Sequence, residues 1–222
     1  MKLLLTSNGI SNQSIANALE NLSGKKSSKV KIGFIPTAAN LESENKDWFI
    51  NQFIDLRKFG FNWVDVIDPS ANNVGWKDRL TSIDVIFVSG GNTFHLLDQT
   101  RKTGFLNWLD KNRDKKVYVG ASAGSILATP TIAVASVDNI DENLPENLPA
   151  ITDLQSLSWV KFELLPHVPD WISQRTAEKY ARMTKNKFYA IDDQTALKVV
   201  DDKVEVVSEG KWKVFNSGTG KA

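Results

Sequence analysis

Short apolar runs alternate with longer stretches in which apolar residues recur every three or four positions, and this persists over the first two-thirds of the chain. Lys2 to Thr6 reads as a buried strand, closed by the turn Ser7-Asn8-Gly9. Ile15, Ala16, Leu19 and Leu22 then fall at helical spacing, with Gly24 as a stop. Val30 to Ile35 is a second strand, broken at Pro36. Trp48, Phe49, Phe53, Leu56 and Phe59 form the apolar face of a second helix that Gly60 ends. Trp63–Ile67 and Asp84–Val88 are further strands. Helical patterns run from Gly90-Gly91-Asn92 to about Lys102 and from Phe105 through Leu109. Lys116–Val119 is a fifth strand, Phe162–Leu165 another, Trp171–Met183 a helix, and Phe188–Ile191 extended.

Alternation of this kind predicts an α/β fold, a mainly parallel sheet sandwiched by helices. The last stretch departs from it. Ala196–Val200 and Lys203–Val207 flank Asp201-Asp202 and predict a C-terminal β-hairpin. A second turn, Ser208-Glu209-Gly210, precedes an extended Lys211–Phe215, and the polar tail from Asn216 is expected to fray. Val137 to Thr152, acidic and broken by Pro145 and Pro149, is the one long irregular segment. With no repeats and no linker, one domain is expected over residues 1–215.

Composition narrows the partners. The 222 residues carry a net charge of +1, so no global field draws in nucleic acid or an anionic membrane. The absence of cysteine excludes disulfides, thiolate zinc sites and a cysteine nucleophile. Met1 to Gly9 has too short an apolar run for a signal peptide, and no run approaches the length of a membrane-spanning helix. A cytoplasmic location is the resulting expectation.

The sharpest chemical signal is Gly120-Ala121-Ser122-Ala123-Gly124, directly after a strand. A G-x-S-x-G turn between strand and helix holds the serine in a strained conformation, and its glycines remove side chains that would collide. The Ala123 amide, at the start of the next helix, points to where an oxyanion would form. A serine nucleophile needs a base, and there are two histidines. His95 sits inside a helical pattern, whereas His167 follows a strand and is braced by Pro166 and Pro169, so His167 is the better candidate. For the acid that fixes the imidazole, the loop between them offers Asp138, Asp141 and Glu142, with Asp170 and Asp193 as outside candidates. Ser89-Gly90-Gly91-Asn92-Thr93 also joins strand to helix. It reads either as the second half of an oxyanion hole or as a glycine turn with Asn92 as helix cap.

These motifs together resemble the dipeptidase E (aspartyl dipeptidase/cyanophycinase-like) family of serine peptidases. Ser89–Phe94 is similar to its G-G-N-T-F segment, Gly120–Gly124 through Ile132 to its nucleophile region, Pro166-His167 to its Pro-His, and Phe34–Ala38 to its second strand. Ile191–Leu197 resembles a stretch of the related cyanophycinases. The resemblance implies a fold like the class I glutamine amidotransferase domain, flavodoxin-like in layering, and needs neither metal nor organic cofactor. It implies a triad of Ser122, Asp138 and His167, with Asp141 as alternative acid. It also implies oxyanion donors at Gly91 and Ala123, Asn92 at the substrate, and a small peptide as partner. Asp138 falls one residue beyond the family's usual position. Relatives typically cleave dipeptides with an N-terminal aspartate, but Val168–Ile172 lacks their longer glycine- and arginine-bearing segment; Arg175 and Lys179 read as ordinary helix-surface cations in preference to partners of an acidic substrate. Rival readings are an esterase or cyanophycinase-like exopeptidase with the same triad, and a non-catalytic binding protein of this fold.

Overall fold

Successive side chains of a strand point to opposite faces of its sheet, so a strand covered on both sides must be apolar at every position. β1 (Lys2–Thr6) has this character: Leu3, Leu4 and Leu5 are all fully buried. Leu3 and Leu5 enter the core on one face and Leu4 that on the other. The computed structural model describes residues 1–43, 45–140 and 151–217.

The main sheet also contains β2 (Lys31–Ile35), β3 (Trp63–Val66), β4 (Val85–Val88), β5 (Val117–Ala121), β8 (Thr195–Val200) and β9 (Lys203–Ser208). Its order is β3-β2-β4-β5-β1-β8-β9. The first five of these are mutually parallel, and the hairpin β8–β9 extends the sheet antiparallel beside β1, with Leu5 opposite Leu197.

α1 (Gln13–Ser23) and α2 (Asp47–Lys58) cover one face, bringing Ile15, Leu19, Leu22 and Leu56 onto Leu4, Ile32, Phe34 and Phe87. α3 (Trp76–Thr81), α4 (Thr93–Lys102), α5 (Phe105–Asn112) and the short α6 (Ala123–Ile126) cover the other. Asn12 caps α1 by accepting from the Ile15 amide at 3.0 Å, and Gly24 ends it in the left-handed region.

A second sheet, ordered β10-β7-β6, comprises β6 (Phe162–Leu165), β7 (Lys187–Ile191) and β10 (Trp212–Phe215). β6 and β7 are parallel, β10 is antiparallel to β7, and α7 (Gln174–Met183) connects β6 to β7. The sequence pattern places β6 in the same parallel sheet as the serine's strand; it lies instead in this smaller sheet, which packs on the core beneath α6. The helix expected from Trp171 begins at Gln174, after the cap Ser173. Asn216, where the tail expected to fray begins, donates through its side-chain amide to Ala181 O at 2.8 Å and Thr184 O at 2.9 Å; residues 218–222 of that tail lie outside the described residues.

β6 buries one carboxyl. Glu163 is 2% exposed; Oε1 accepts from Asn186 at 3.1 Å, and Oε2 has no partner among the described residues. Burial outweighs these hydrogen bonds and raises its pKa above the ordinary 4.5. The folded protein therefore holds this proton to higher pH than the unfolded chain does. The resulting stabilisation is complete below the unfolded value and is lost as pH rises through the folded one, with a slope of at most about 1.4 kcal/mol per pH unit. Urea unfolding midpoints of Glu163→Gln, measured from pH 4 to 8 by roughly unit steps, should lack this part of the decline. A decline as steep as wild type would show that the carboxyl is ionised when buried.

Candidate active site

The strand-to-helix turn after β5 forms because its glycines permit contacts that no other residue could make. A Cβ on Gly124 would overlap the Val88 carbonyl of β4, and one on Gly120 would lie 2.5 Å from the Ser125 amide. Between them Ser122 adopts φ 50°, ψ −113°, a region disfavoured for L-residues that raises its hydroxyl above the sheet end. The Ser122 amide donates to Thr6 O at 3.1 Å, and Ser125 Oγ to Thr6 O at 2.7 Å and Gly120 O at 2.8 Å. These bonds tie the turn to the end of β1.

His167 arrives from the second sheet, past the end of β6, and is also held at positive φ, 64°. Its Nε2 lies 2.9 Å from Ser122 Oγ. Its Nδ1 lies 2.5 Å from Asp193 Oδ1, so the three side chains form one hydrogen-bonded line. The ring centroids of Trp171 and His167 lie 4.7 Å apart with the rings tilted by 33°, and His167 is 7% exposed.

Asp193 is partly buried, which opposes its charged form. The hydrogen bond to His167, the imidazole's positive charge when protonated and the hydrogen bond from Ser7 together outweigh burial, holding the carboxyl below the ordinary 3.8. Ionised at neutral pH, Asp193 can only accept. Nδ1 is then the donor, and the neutral ring presents Nε2 as an acceptor to the serine hydroxyl.

Ser7, fully buried just past β1, locks this geometry. Its Oγ donates to Asp193 Oδ1 at 2.6 Å, accepts from the His167 amide at 2.8 Å and sits 3.2 Å from His167 Nδ1. The acidic pair ending β7 divides its work. Asp192 Oδ1 accepts from Thr195 Oγ1 at 2.7 Å and shapes the turn into β8, while Asp193 faces the imidazole. The Asp193 amide in turn donates to Asp170 Oδ2 at 2.6 Å.

The carboxylate expected beside the imidazole, Asp138, is not the one that meets it. Asp138 is exposed, pairs with Lys179 of α7 and does not meet His167. The alternative, Asp141, lies outside the described residues, as does Glu142. Arg175 and Lys179 line a second groove with Asp138 that shares no lining residue with the cavity over Ser122. His95 sits on α4, where burial lowers its pKa, and does not line that cavity.

The Gly90-Gly91 turn abuts the serine: a Cβ on Gly90 would lie 3.1 Å from Ser122 Cβ. Gly91, at φ 125°, packs so tightly on the Ala38 backbone that any side chain would overlap it. The Asn92 amide donates to Ala38 O at 3.0 Å, and its side chain caps α4 by accepting from the His95 amide at 2.9 Å. Asn92 also lines the cavity. Ala123, first residue of α6, has an N–H without an acceptor in its own helix. Above Ser122 opens a cavity of about 710 Å³, a size suited to a small ligand. Among the described residues no group of three or more histidines and carboxylates could hold a metal ion, and no helix is long and apolar enough to cross a membrane.

Comparison with known proteins agrees with this architecture. Residues 3–207 match the model of peptidase family S51. An uncharacterized peptidase of Listeria innocua is 31% identical over 195 residues, covering 83% of this chain and 85% of its own. Peptidase E of a Nostoc species is 23% identical over 206 residues, covering 88% and 79%. A crystal structure from Listeria monocytogenes, described as a candidate Peptidase E, superposes with a TM-score of 0.78 at 25% identity, covering 94% of this chain and 98% of that one.

Proposed function

The chain belongs to peptidase family S51 and is a peptidase; from that premise we propose that it hydrolyses short peptides with Ser122 as nucleophile, His167 as general base and Asp193 as the supporting acid. The observation that carries this reading is the continuous line from Ser122 Oγ to His167 Nε2 at 2.9 Å and from Nδ1 to Asp193. His167 takes the Ser122 proton as Oγ bonds to the scissile carbonyl carbon. The oxyanion settles against the amides of Gly91 and Ala123, at the two turns that meet beside the serine. The C–N bond then breaks as His167, now imidazolium, returns its proton to the leaving amine, and water releases the acyl group by the same route. The cavity of about 710 Å³ above Ser122 has the size of a small-ligand site, which supports short substrates.

A fluorophosphonate probe tests the nucleophile directly. It should label wild-type Ser122, whereas a chain left unlabelled would favour a non-catalytic binding protein. A panel of dipeptides and simple esters then separates a peptidase from an esterase.

Ser7 supports the acid and base through its hydrogen bonds to Asp193 and to the His167 amide. Ser7→Ala removes a hydrogen bond to an ionised carboxylate, worth about 1.5–3 kcal/mol, so kcat should fall roughly 10- to 100-fold. KM should stay near wild type, because the residue acts through His167 and Asp193. A variant with unchanged kcat would show that Ser7 only fills space.

A further inference from the structure

The Gly90-Gly91 turn rests on another tight turn, Thr37–Asn40, which follows β2. A Cβ on Gly91 would lie 2.4 Å from the Ala38 carbonyl oxygen and 2.7 Å from the Ala39 nitrogen, so the two backbones touch directly. The Asn92 amide joins them by donating to Ala38 O at 3.0 Å. The 37–40 turn is gripped in its turn by Asp68, just past the end of β3. The Ile67 amide donates to Phe34 O at 2.8 Å, carrying the pairing of β3 with β2 up to this carboxylate. Asp68 Oδ1 accepts from Thr37 Oγ1 at 2.8 Å and Oδ2 from Asn40 Nδ2 at 2.6 Å, the first and last residues of the turn. Ser70 adds its amide at 2.9 Å and its hydroxyl at 2.7 Å, both to Oδ1. Burial opposes the charged form of Asp68, but these hydrogen bonds outweigh it and hold the carboxyl below the ordinary 3.8. Asp68 itself does not line the cavity over Ser122.

Resting on the reading of Ser122 as nucleophile and Gly91 as oxyanion donor, we propose that Asp68 is a positioning residue for the reaction. Through Thr37 and Asn40 it clamps the 37–40 turn against Gly91 and so aims the Gly91 amide at the oxyanion. Such a donor is effective only when it is held in place before charge develops. Gly91, at φ 125°, has no side chain to wedge it, so its direction is set by the backbone on which it rests. That backbone keeps its place while the carboxylate holds both ends of its turn. A small displacement of a reacting or stabilising group is enough to cost a large factor in rate.

The test compares labelling of the full chain by an alkyl fluorophosphonate and by its counterpart with P=S in place of P=O. In either case Ser122 Oγ bonds to phosphorus, fluoride leaves and His167 takes the proton. The phosphoryl oxygen stands where the oxyanion would form; sulfur accepts hydrogen bonds weakly, so the oxygen probe draws more on the Gly91 amide. Asp68→Ala should slow labelling by the oxygen probe at least about tenfold and by the sulfur probe less, narrowing the ratio of the two rates. Thr37→Val, which removes one of the bonds to Asp68, should narrow the ratio too, whereas Thr37→Ser should keep it near wild type. An equal fall with both probes, as lost folding or cavity shape would give, overturns the positioning role and leaves the nucleophile standing. So do unchanged rates in Asp68→Ala. Where that variant does not fold, the Thr37 pair decides, and Thr37→Val behaving as Thr37→Ser overturns the role. A wild-type chain that takes up neither probe overturns both readings.

Discussion

Ser122→Ala is expected to lower kcat on any cleaved peptide by roughly a million-fold, the scale seen when a serine nucleophile or its base is removed from a triad. Residual turnover would come from the oxyanion donors and binding alone. The size of the loss follows from the mechanism. Without Oγ there is no covalent intermediate, and His167 has no hydroxyl to deprotonate. The fold should hardly notice. Alanine carries the same penalty as serine at φ 50°, the turn is pinned by the backbone bond to Thr6 O, and the lost hydrogen bond faces an open cavity that water can enter. A melting temperature within about 2–4 °C of wild type would correspond to no more than about 1 kcal/mol for a chain of this size. Substantial activity in a variant so folded would remove Ser122 from the mechanism.

That serine was the most legible part of the site because its signal is local. The collisions that demand glycine at positions 120 and 124 arise within the turn and its immediate neighbour Val88, so the pentapeptide carries its own explanation. His167 was legible by scarcity, since the sequence holds two histidines. The acid was not, because proximity along the chain stood in for proximity in space. The loop after the nucleophile holds several carboxylates, and nothing in its pattern says that Asp138 turns to Lys179.

The usable signal lay in strand register. β6 and β7 run parallel with Leu165 opposite Ala190, which brings the residues just beyond both ends, His167 and the pair Asp192-Asp193, to one rim. β1 and β5 likewise pair Thr6 with Ala121, so Ser7 emerges level with Ser122. Register of this kind needs the strand pairing. A buried β6 in a separate small sheet has the same apolar pattern as one in the main sheet, which is why the second sheet was not anticipated. α3, of six residues, is too short for helical periodicity to mark it.

Asp193→Asn should lower kcat by about 10⁴-fold, whereas Asp138→Asn should leave it close to wild type. The carboxylate accepts from Nδ1 and fixes the tautomer in which Nε2 can receive the serine proton; it then faces the imidazolium that forms. An asparagine keeps the shape but removes the charge, and its amide can present a donor to Nδ1, favouring the opposite tautomer. Wild-type Asp193 stays ionised to below the ordinary carboxylate range, so its protonation should not limit activity at any pH above that range. Its pairing stabilises the fold above the unfolded pKa, and that contribution is lost only as pH falls through the lower folded value. Asp138 engages Lys179 in solvent, a pair that neutralisation can break without reaching the imidazole. Steady-state kinetics of the two variants therefore separate the candidates cleanly. Collapse of activity in Asp138→Asn with Asp193→Asn unimpaired would return the acid to the loop and leave the short contact at Nδ1 without a catalytic role.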